Sequence, residues 1–306
     1  MKKHKNIGKT AFLDYYQNHF PLKFDQIIQS FDDKNPPVFL FNPQFEDQIR
    51  FLWGKSGLNF NKIEWFPYAV YWPQQIPFGE PVPGYEEKLI YPLNISSLLP
   101  IMALQPKQNE VILDACGAPG GKTLGIKFLG SNNRIIANDI SPIRRQRMRQ
   151  TFGEFQLNDI DIWGRPAETI YQQYPNYFDK ILLDAPCSSE KHVWNDIKYL
   201  KQWTPNRIKV LHLRQLALLG GLLLALKSGG ILVYSTCAVN TLENEETVGE
   251  LLQKKGNLAK LIDWRKPVEG SKQLNDQNFG FDQNKVLRIL PKENYDPMFV
   301  AVLRKI

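Results

Sequence analysis

Cysteine is scarce in this 306-residue chain, which holds three. So small and odd a number excludes a disulfide framework and fits a reducing compartment. Long apolar runs are missing as well. No uninterrupted stretch of about 18 apolar residues occurs, so no membrane-spanning helix and no membrane contact are expected. The basic start MKKHKNIGKT leads into no apolar segment, so no secretory signal is expected and a cytoplasmic protein is. Internal repeats and low-complexity tracts are also absent. Acidic charge is in deficit: 38 Lys and Arg against 31 Asp and Glu leave a net charge of +7. That balance favours a polyanionic partner such as nucleic acid, although a basic soluble enzyme would carry it equally well.

What is present divides into two parts. Residues 1–105 are rich in aromatics and proline, as in WFPYAVYWP at Trp65–Pro73, and read as a smaller accessory region. Its clearest helix is predicted over Thr10–Phe31. Residues 106–306 alternate apolar runs of strand length with amphipathic stretches, which implies βαβ units and a mostly parallel sheet. Strands are predicted at Val111–Ala115, Arg134–Asn138, Asp159–Trp163, Phe178–Asp184 and Ile231–Thr236. Helices are predicted over Gly121–Leu129, from a Ser141 cap with Pro142 in the first position, and over Asn206–Leu226, ended by Lys227–Gly230. Val286–Leu290 and Met298–Arg304 read as a terminal hairpin at one sheet edge.

Between the first strand and its helix lies DACGAPGGKT, Asp114–Thr123. In open α/β sheets ligands bind at the carboxyl ends of strands, and glycines let backbone approach a ligand there. The candidate cofactor loop is Cys116, Gly117, Ala118, Pro119, Gly120, Gly121 and Lys122. Cys116 is read as structural, contributing backbone. Asp139 closes the second strand 18 residues beyond Gly121, where an acid clamps a ribose hydroxyl. A dinucleotide site wants GxGxxG and a P-loop wants GxxxxGK[ST]. This loop is neither, since Cys116 stands where the first P-loop glycine belongs. The remaining nucleoside cofactor of such sheets is S-adenosylmethionine, and no metal is called for.

The other two cysteines each close an apolar run, Cys187 in DAPCSSEKH and Cys237 in STCAVNTLENEE. Together with DACGAPGGKT, in this order and spacing, they resemble the signature motifs of the Sun-type RNA (cytosine-5) methyltransferases. The resemblance runs from about Tyr91 to the C-terminus. In motif style it is most similar to the short branch that modifies organellar ribosomal RNA. It implies a Rossmann-like class I methyltransferase fold, with a mostly parallel seven-stranded sheet, a C-terminal antiparallel hairpin and the smaller N-terminal region.

The resemblance also implies roles. Carbon 5 of cytosine becomes nucleophilic only when a thiolate adds to carbon 6, and the thiol must later be expelled as the carbon-5 proton leaves. Cys237 matches the nucleophile and Cys187 the cysteine that helps resolve the adduct. The reversed assignment, in which the Pro-Cys cysteine attacks as in DNA-type enzymes, is the alternative. Asp184 matches the acid that reads the cytosine edge beside the cofactor. Glu243 and Asn244 match positions that hold the nucleophile's loop, or they are ordinary acids and amides at a helix start, with Thr241 or Asn240 as cap.

Several positions depart from the family pattern. Gly164-Arg165 replaces a Gly-Asp, so any adenine contact there falls to backbone. DAPCSG is DAPCSS here, with Ser189 for the glycine, and Ala238 and Thr241 replace Ser and Pro after STC. Lys191-His192 offers basic groups for RNA phosphate. Arg144, Arg145, Arg147 and Arg149 spread around one helix and read as a solvated face. Lys2, Lys3, Lys5 and Lys9 are candidate phosphate contacts, and the N-terminal aromatics are candidate stacking platforms or core. The expectation is a monomeric enzyme acting on rRNA or tRNA, alone or with a protein partner. The rival is a non-catalytic RNA-binding assembly factor that keeps the fold.

Overall fold

The computed structural model describes residues 7–130, 132–268, 278–291 and 294–306. Lys2, Lys3 and Lys5 lie outside these ranges, as do Lys292 and Glu293 of the hairpin turn.

Two helices open the chain, α1 (Gly8–His19) and α2 (Phe24–Phe31), where the sequence pattern predicts one. Pro21 separates them, because a proline disfavours helical backbone at the residue before it and lacks an N–H. Phe20 accordingly leaves the helix at φ −134°, ψ 54°. Strands β1 (Val38–Phe41), β2 (Lys62–Ile63), β3 (Phe66–Tyr71) and β4 (Ile90–Leu93) then form an antiparallel sheet, ordered β2-β3-β1-β4. Helix α3 (Glu46–Lys55) packs on it through Ile49 and Trp53. Phe39, Phe41, Trp53 and Phe66 are fully buried, so core packing accounts for much of the region's aromatic content.

Helix α4 (Leu98–Leu104) leads into the larger α/β part. There β5 (Val111–Asp114), α5 (Gly121–Leu129), β6 (Arg134–Asn138), α6 (Pro142–Glu154), β7 (Ile160–Trp163) and β8 (Phe178–Asp184) follow in turn. Next come two short helices, α7 (Glu190–Asn195) and α8 (Ile197–Gln202), and the long α9 (Pro205–Ala225). The chain finishes with β9 (Leu226–Thr236), α10 (Thr247–Lys255), β10 (Ala259–Leu261), β11 (Leu287–Ile289) and β12 (Met298–Lys305).

Among the described residues this sheet has eight strands, β10-β12-β9-β8-β5-β6-β7 with β11 paired to β12. The strands from β9 to β7 are parallel, and β12 is antiparallel to β9, β10 and β11. The predicted hairpin is therefore present but is not the edge, since β12 inserts between β9 and β10. Its run Phe299–Leu303 is buried residue by residue, the pattern of a strand covered on both faces. A second difference concerns Lys227–Gly230. These residues lie within β9 rather than capping the helix, which has already ended at Ala225.

Side chains alternate across the sheet. Ile112, Ile135 and Leu182 meet the core that includes α4, α5 and α6, whereas Leu113, Ile136, Ile181 and Leu183 meet that of α9 and α10. By length and composition α9 could cross a membrane, but half of its most apolar window is buried, as in a core helix. Helices α1 and α2 dock on α7 and α8 rather than on the small sheet. Phe12, Tyr16, Phe31, Leu200 and Trp203 form one cluster, and the Gly8 N–H donates to the Trp203 carbonyl at 2.8 Å.

Strand order places the switch point between β5 and β8. The chain leaves β5 toward β6 and β7 on one side, then returns to β8 and β9 on the other. Loops after β5, β6, β8 and β9 consequently converge on one sheet end, where crossovers diverge and leave a crevice.

Candidate active site

The crevice is a cavity of about 730 Å³, lined by Cys116, Lys122, Asp139, Arg165, Asp184, Cys187 and Cys237 among the sequence-predicted residues. Gly117, Ala118, Pro119, Gly120, Gly121 and Gly164 shape its walls without lining it. A Cβ at Gly120, whose φ is +117°, would stand 2.9 Å from the Phe152 ring, and one at Gly121 would stand 2.7 Å from Tyr91. These glycines thus let the loop lie flat on its neighbours.

Asp114 ends β5 fully buried, with Oδ2 accepting the Thr123 hydroxyl at 2.7 Å and Oδ1 accepting nothing from the described residues. Burial pushes its carboxyl up to about 7, against the Thr123 hydrogen bond, and the nearby Asp184 adds to the rise. The same burial, with the charges of Asp114, Asp139 and Asp184, pushes the Cys116 thiol up to about 12. Cys116 is therefore a neutral packing residue.

At the end of β6, Asn138 ties three loops together. Its side-chain N–H donates to the Ala115 and Arg165 carbonyls, both at 3.0 Å, while its oxygen accepts the Arg165 N–H at 2.8 Å. Asp139 Oδ1 accepts the Ser141 N–H at 2.9 Å. Its buried Oδ2 lies 3.0 Å from the Arg144 guanidinium yet accepts no hydrogen bond from the described residues. A buried carboxylate oxygen with a free lone pair, on the wall of a cavity, fits a ribose hydroxyl. Arg144 also donates to the Ala118 carbonyl at 2.6 Å, and Arg145 donates to the Asp139 and Ile140 carbonyls at 2.8 and 2.9 Å. These two arginines brace the loops and are not merely solvated. The Arg145 guanidinium occupies the space beside Gly164, 2.5 Å from where a Cβ would stand.

The reactive end is formed by β8 and β9. Their register sets Asp184 opposite Ser235, which donates its hydroxyl to Asp184 Oδ1 at 2.9 Å. Lys122, from the start of α5, donates to Asp184 Oδ2 at 2.7 Å. Burial opposes the Lys122 charge, but Asp184, with Cys237 and Asp114 beyond it, outweighs that and holds the ammonium above the usual lysine range.

Cys187 and Cys237, 50 residues apart, bring their sulfurs to 3.3 Å. The hydrogen bond from Cys187 pulls the Cys237 thiol below the ordinary range, against its burial, helped by Ser189 and Lys122 and opposed by Asp184. Cys187 is raised correspondingly, by holding its proton against Cys237 and by burial. The two thiols are thus shifted in opposite directions.

The loop after Cys237 is held by its own acids. Buried Glu243 accepts the Ser188 N–H at 3.0 Å, Asn240 at 2.7 Å and Gln215 at 2.8 Å, and so joins the two cysteine loops. Asn244 accepts the Thr236 hydroxyl at 2.5 Å and donates to the Ala238 carbonyl at 2.9 Å. Both residues anchor the loop; Thr241 holds the cap position without a side-chain bond, and the Asn240 oxygen accepts the Glu243 N–H at 2.9 Å. The predicted helix start is a π-helical turn, Leu242–Glu246, before α10. Arg288 pairs in the core with Glu245 and donates to the Val239 carbonyl at 2.9 Å.

Lys191 is not free for phosphate, because it pairs with Asp296 at 2.7 Å. Asp296 also accepts Asn94 at 2.7 Å, tying the hairpin to the segment before α4. Lys9 lies over the Trp194 ring at 4.7 Å. The sequence assigns no role to Asn138 or Asp296, whose partners come from distant elements, and it reads Arg144 and Arg145 as a solvated face.

The sequence model of the family described as 16S rRNA methyltransferase RsmB/F matches residues 101–304. Over 228 residues the chain is 34% identical to the tRNA (cytosine(49)-C(5))-methyltransferase of Pyrococcus abyssi, covering 72% of each protein. It is 30% identical to the mitochondrial tRNA (cytosine(34)-C(5))-methyltransferase of Mus musculus, over 71% of this chain and 64% of that one. A solved methyltransferase homolog from Pyrococcus horikoshii superposes with a TM-score of 0.79 at 26% identity, covering 97% of this chain and 95% of that one.

Proposed function

The chain belongs to the Sun-type, RsmB/F family of RNA cytosine-C5 methyltransferases, and from that premise we propose that it methylates carbon 5 of a cytosine in structured RNA, with Cys237 as nucleophile. The observation that carries this reading is the thiol pair at 3.3 Å, set beside the Asp184–Lys122 ion pair on the cavity wall.

S-adenosylmethionine, when bound, supplies the methyl group as an electrophile. The residues that would hold it are Asp139, through the Oδ2 that accepts no hydrogen bond from the described residues, and the loop Cys116–Lys122 with Gly164-Arg165 beside it. Asp184 keeps acceptor capacity after its bonds to Lys122 and Ser235, since a carboxylate offers about four lone-pair sites. It can therefore accept the exocyclic amine N–H of a flipped-out cytosine, and the ring nitrogen once that nitrogen carries a proton.

Cys237 then contributes a sulfur lone pair to a bond with carbon 6, and the ring's double-bond electrons move toward carbon 5. That bond consumes the thiolate charge. Cys187 loses the neighbour that held its proton and becomes the more acidic member of the pair. With its own proton passed to solvent, Cys187 can accept the carbon-5 proton once carbon 5 carries the methyl group, the pair that moved to carbon 5 having formed that bond. The released electron pair re-forms the ring double bond and expels Cys237 as thiolate.

RNA reaches the crevice past α9, whose exposed Arg207 and Arg214 line the cavity wall and are placed for phosphates. The N-terminal region, residues 1–105, is proposed to help seat the RNA. By their names the relatives act on tRNA and rRNA, so either class is a candidate substrate.

The test is methyl transfer to total tRNA and total rRNA. Wild type should form 5-methylcytosine, Cys237→Ala should form neither product nor adduct, and Cys187→Ala should accumulate a covalent protein–RNA species. The reverse cysteine pattern would overturn the assignment. Binding of S-adenosylmethionine without transfer to any RNA would favour a non-catalytic assembly factor.

A further inference from the structure

Ser189 stands where the family motif has glycine, and its backbone keeps a glycine-like conformation, φ +51°, ψ 57°. A side chain in the left-handed region is disfavoured relative to glycine, so something must favour this serine. It precedes α7 at the cap position, where a serine oxygen ordinarily accepts a first-turn N–H. Here the side chain makes no such bond. Its hydroxyl points instead into the thiol pair, 3.2 Å from the Cys237 sulfur and 3.4 Å from the Cys187 sulfur.

We infer that Ser189 is a catalytic hydrogen-bond donor that the left-handed turn holds over both sulfurs, fixing the reacting thiolate on Cys237. This rests on the reading of Cys237 as nucleophile and adds a third group to it. A thiolate can only accept, so a hydroxyl beside it must donate. The Ser189 O–H is neither made nor broken in the cycle. While Cys237 is ionised the hydroxyl donates to it. When that lone pair is drawn into the bond to carbon 6, the same hydroxyl turns to the Cys187 sulfur as charge appears there, and it returns when Cys237 is expelled.

Other groups bear on the pair. Asp184 and Lys122 face Cys237 from β8 and α5, Glu243 faces Cys187 from the turn after β9, and Lys191, His192 and Asp296 line the pocket beside Cys237. Lys122 is the other stabilising charge, but it is already committed to Asp184. Ser189 is the hydroxyl placed on the sulfur itself.

The experiment is alkylation of the RNA-free protein with iodoacetamide across pH, following the Cys237 and Cys187 peptides separately by mass spectrometry. Wild type, Ser189→Gly and Ser189→Thr are compared. Glycine suits the left-handed turn, so its melting temperature should hold or rise, and any loss of reactivity is then not unfolding. The pH midpoint of Cys237 should rise by about one unit, slowing alkylation about tenfold at neutral pH, as expected for losing a hydrogen bond to a charged group. The optimum of methyl transfer should move alkaline with it, and threonine, which keeps the hydroxyl, should keep the wild-type midpoint. An unchanged midpoint in Ser189→Gly, or an equal shift in Ser189→Thr, overturns the proposal. If instead the Cys187 peptide carries the low midpoint and glycine raises it, the nucleophile assignment falls while Ser189 as donor stands.

Discussion

At the scale of single residues, the proposed mechanism divides two chemically identical thiols into unequal roles. Neither sulfur sits in a helix terminus. In the proposed reading the difference arises from who donates to whom: Cys187 and Ser189, 3.3 and 3.2 Å from the Cys237 sulfur, donate to it, while Glu243 lies on the Cys187 side. Glu243 is itself a cost. Burial, with the charge of Glu190, pushes its carboxyl up to about 7 despite bonds from Ser188, Asn240 and Gln215. Its value lies in those bonds, which join the two cysteine loops. Glu243→Ala should leave the Ser188 N–H without its acceptor and Gln215 with only the Pro186 carbonyl, at about 1–3 kcal/mol for each N–H that stays unmet. Urea unfolding should show that loss, and adduct formation should fall further than stability alone explains, because the sulfurs drift apart.

Both cysteines were legible in the sequence, since each closes an apolar run in a chain that has almost no others. Ser189 was visible only as a departure from a motif. Its φ and its distance to the sulfurs exist only after β8, β9 and α7 have come together.

At the scale of elements, local rules located most of the sheet. Gly121–Leu129, Arg134–Asn138 and Phe178–Asp184 appear with the predicted bounds, because periodicity and helix-start chemistry act within one segment. The misses are of two kinds. Thr10–Phe31 was read through Pro21, although the signal to stop was present. The placement of β12 between β9 and β10 had no local signal, because pairing partners are chosen by the whole sheet.

Helix α9 shows how packing overrides propensity. Gly221 lies inside its C-terminal part, where alanine would ordinarily be favoured by about 1 kcal/mol. A Cβ there would stand 2.0 Å from the Glu168 carbonyl oxygen, and backbone cannot step aside as a side chain would. Gly221→Ala should therefore destabilise the protein by about 1–3 kcal/mol, the usual range for overpacking. Equal or greater stability in urea would show that the helix can shift away from Glu168.

At the scale of the whole molecule, two buried acids couple stability to pH. Asp114 and Glu243 are both held up to about 7, above the ordinary carboxylate value of about 4. Between those values the folded protein binds more protons than the unfolded chain, so these groups make stability fall as pH rises from about 4 to 7. Asp114→Asn removes one contribution. Compared with wild type, the variant should gain in urea midpoint as pH rises through that window; a constant difference would mean that Asp114 ionises normally.

Net charge acts at the same scale. With +7 on the chain and Arg207 and Arg214 at the crevice, RNA affinity should fall log-linearly with salt. Arg207→Ala or Arg214→Ala should each flatten that slope by about one unit. A slope unchanged in both would move the RNA path away from α9.

The central claim is that Cys237 makes the bond. It is tested most directly by trapping wild-type protein, with S-adenosylmethionine, on tRNA and rRNA transcripts carrying 5-fluorocytosine, then digesting the complex and sequencing the peptide that carries the nucleotide. The nucleotide should be found on Cys237 of the STCAVN segment. Its recovery on Cys187, or a trapped complex that survives in Cys237→Ala, would contradict the account.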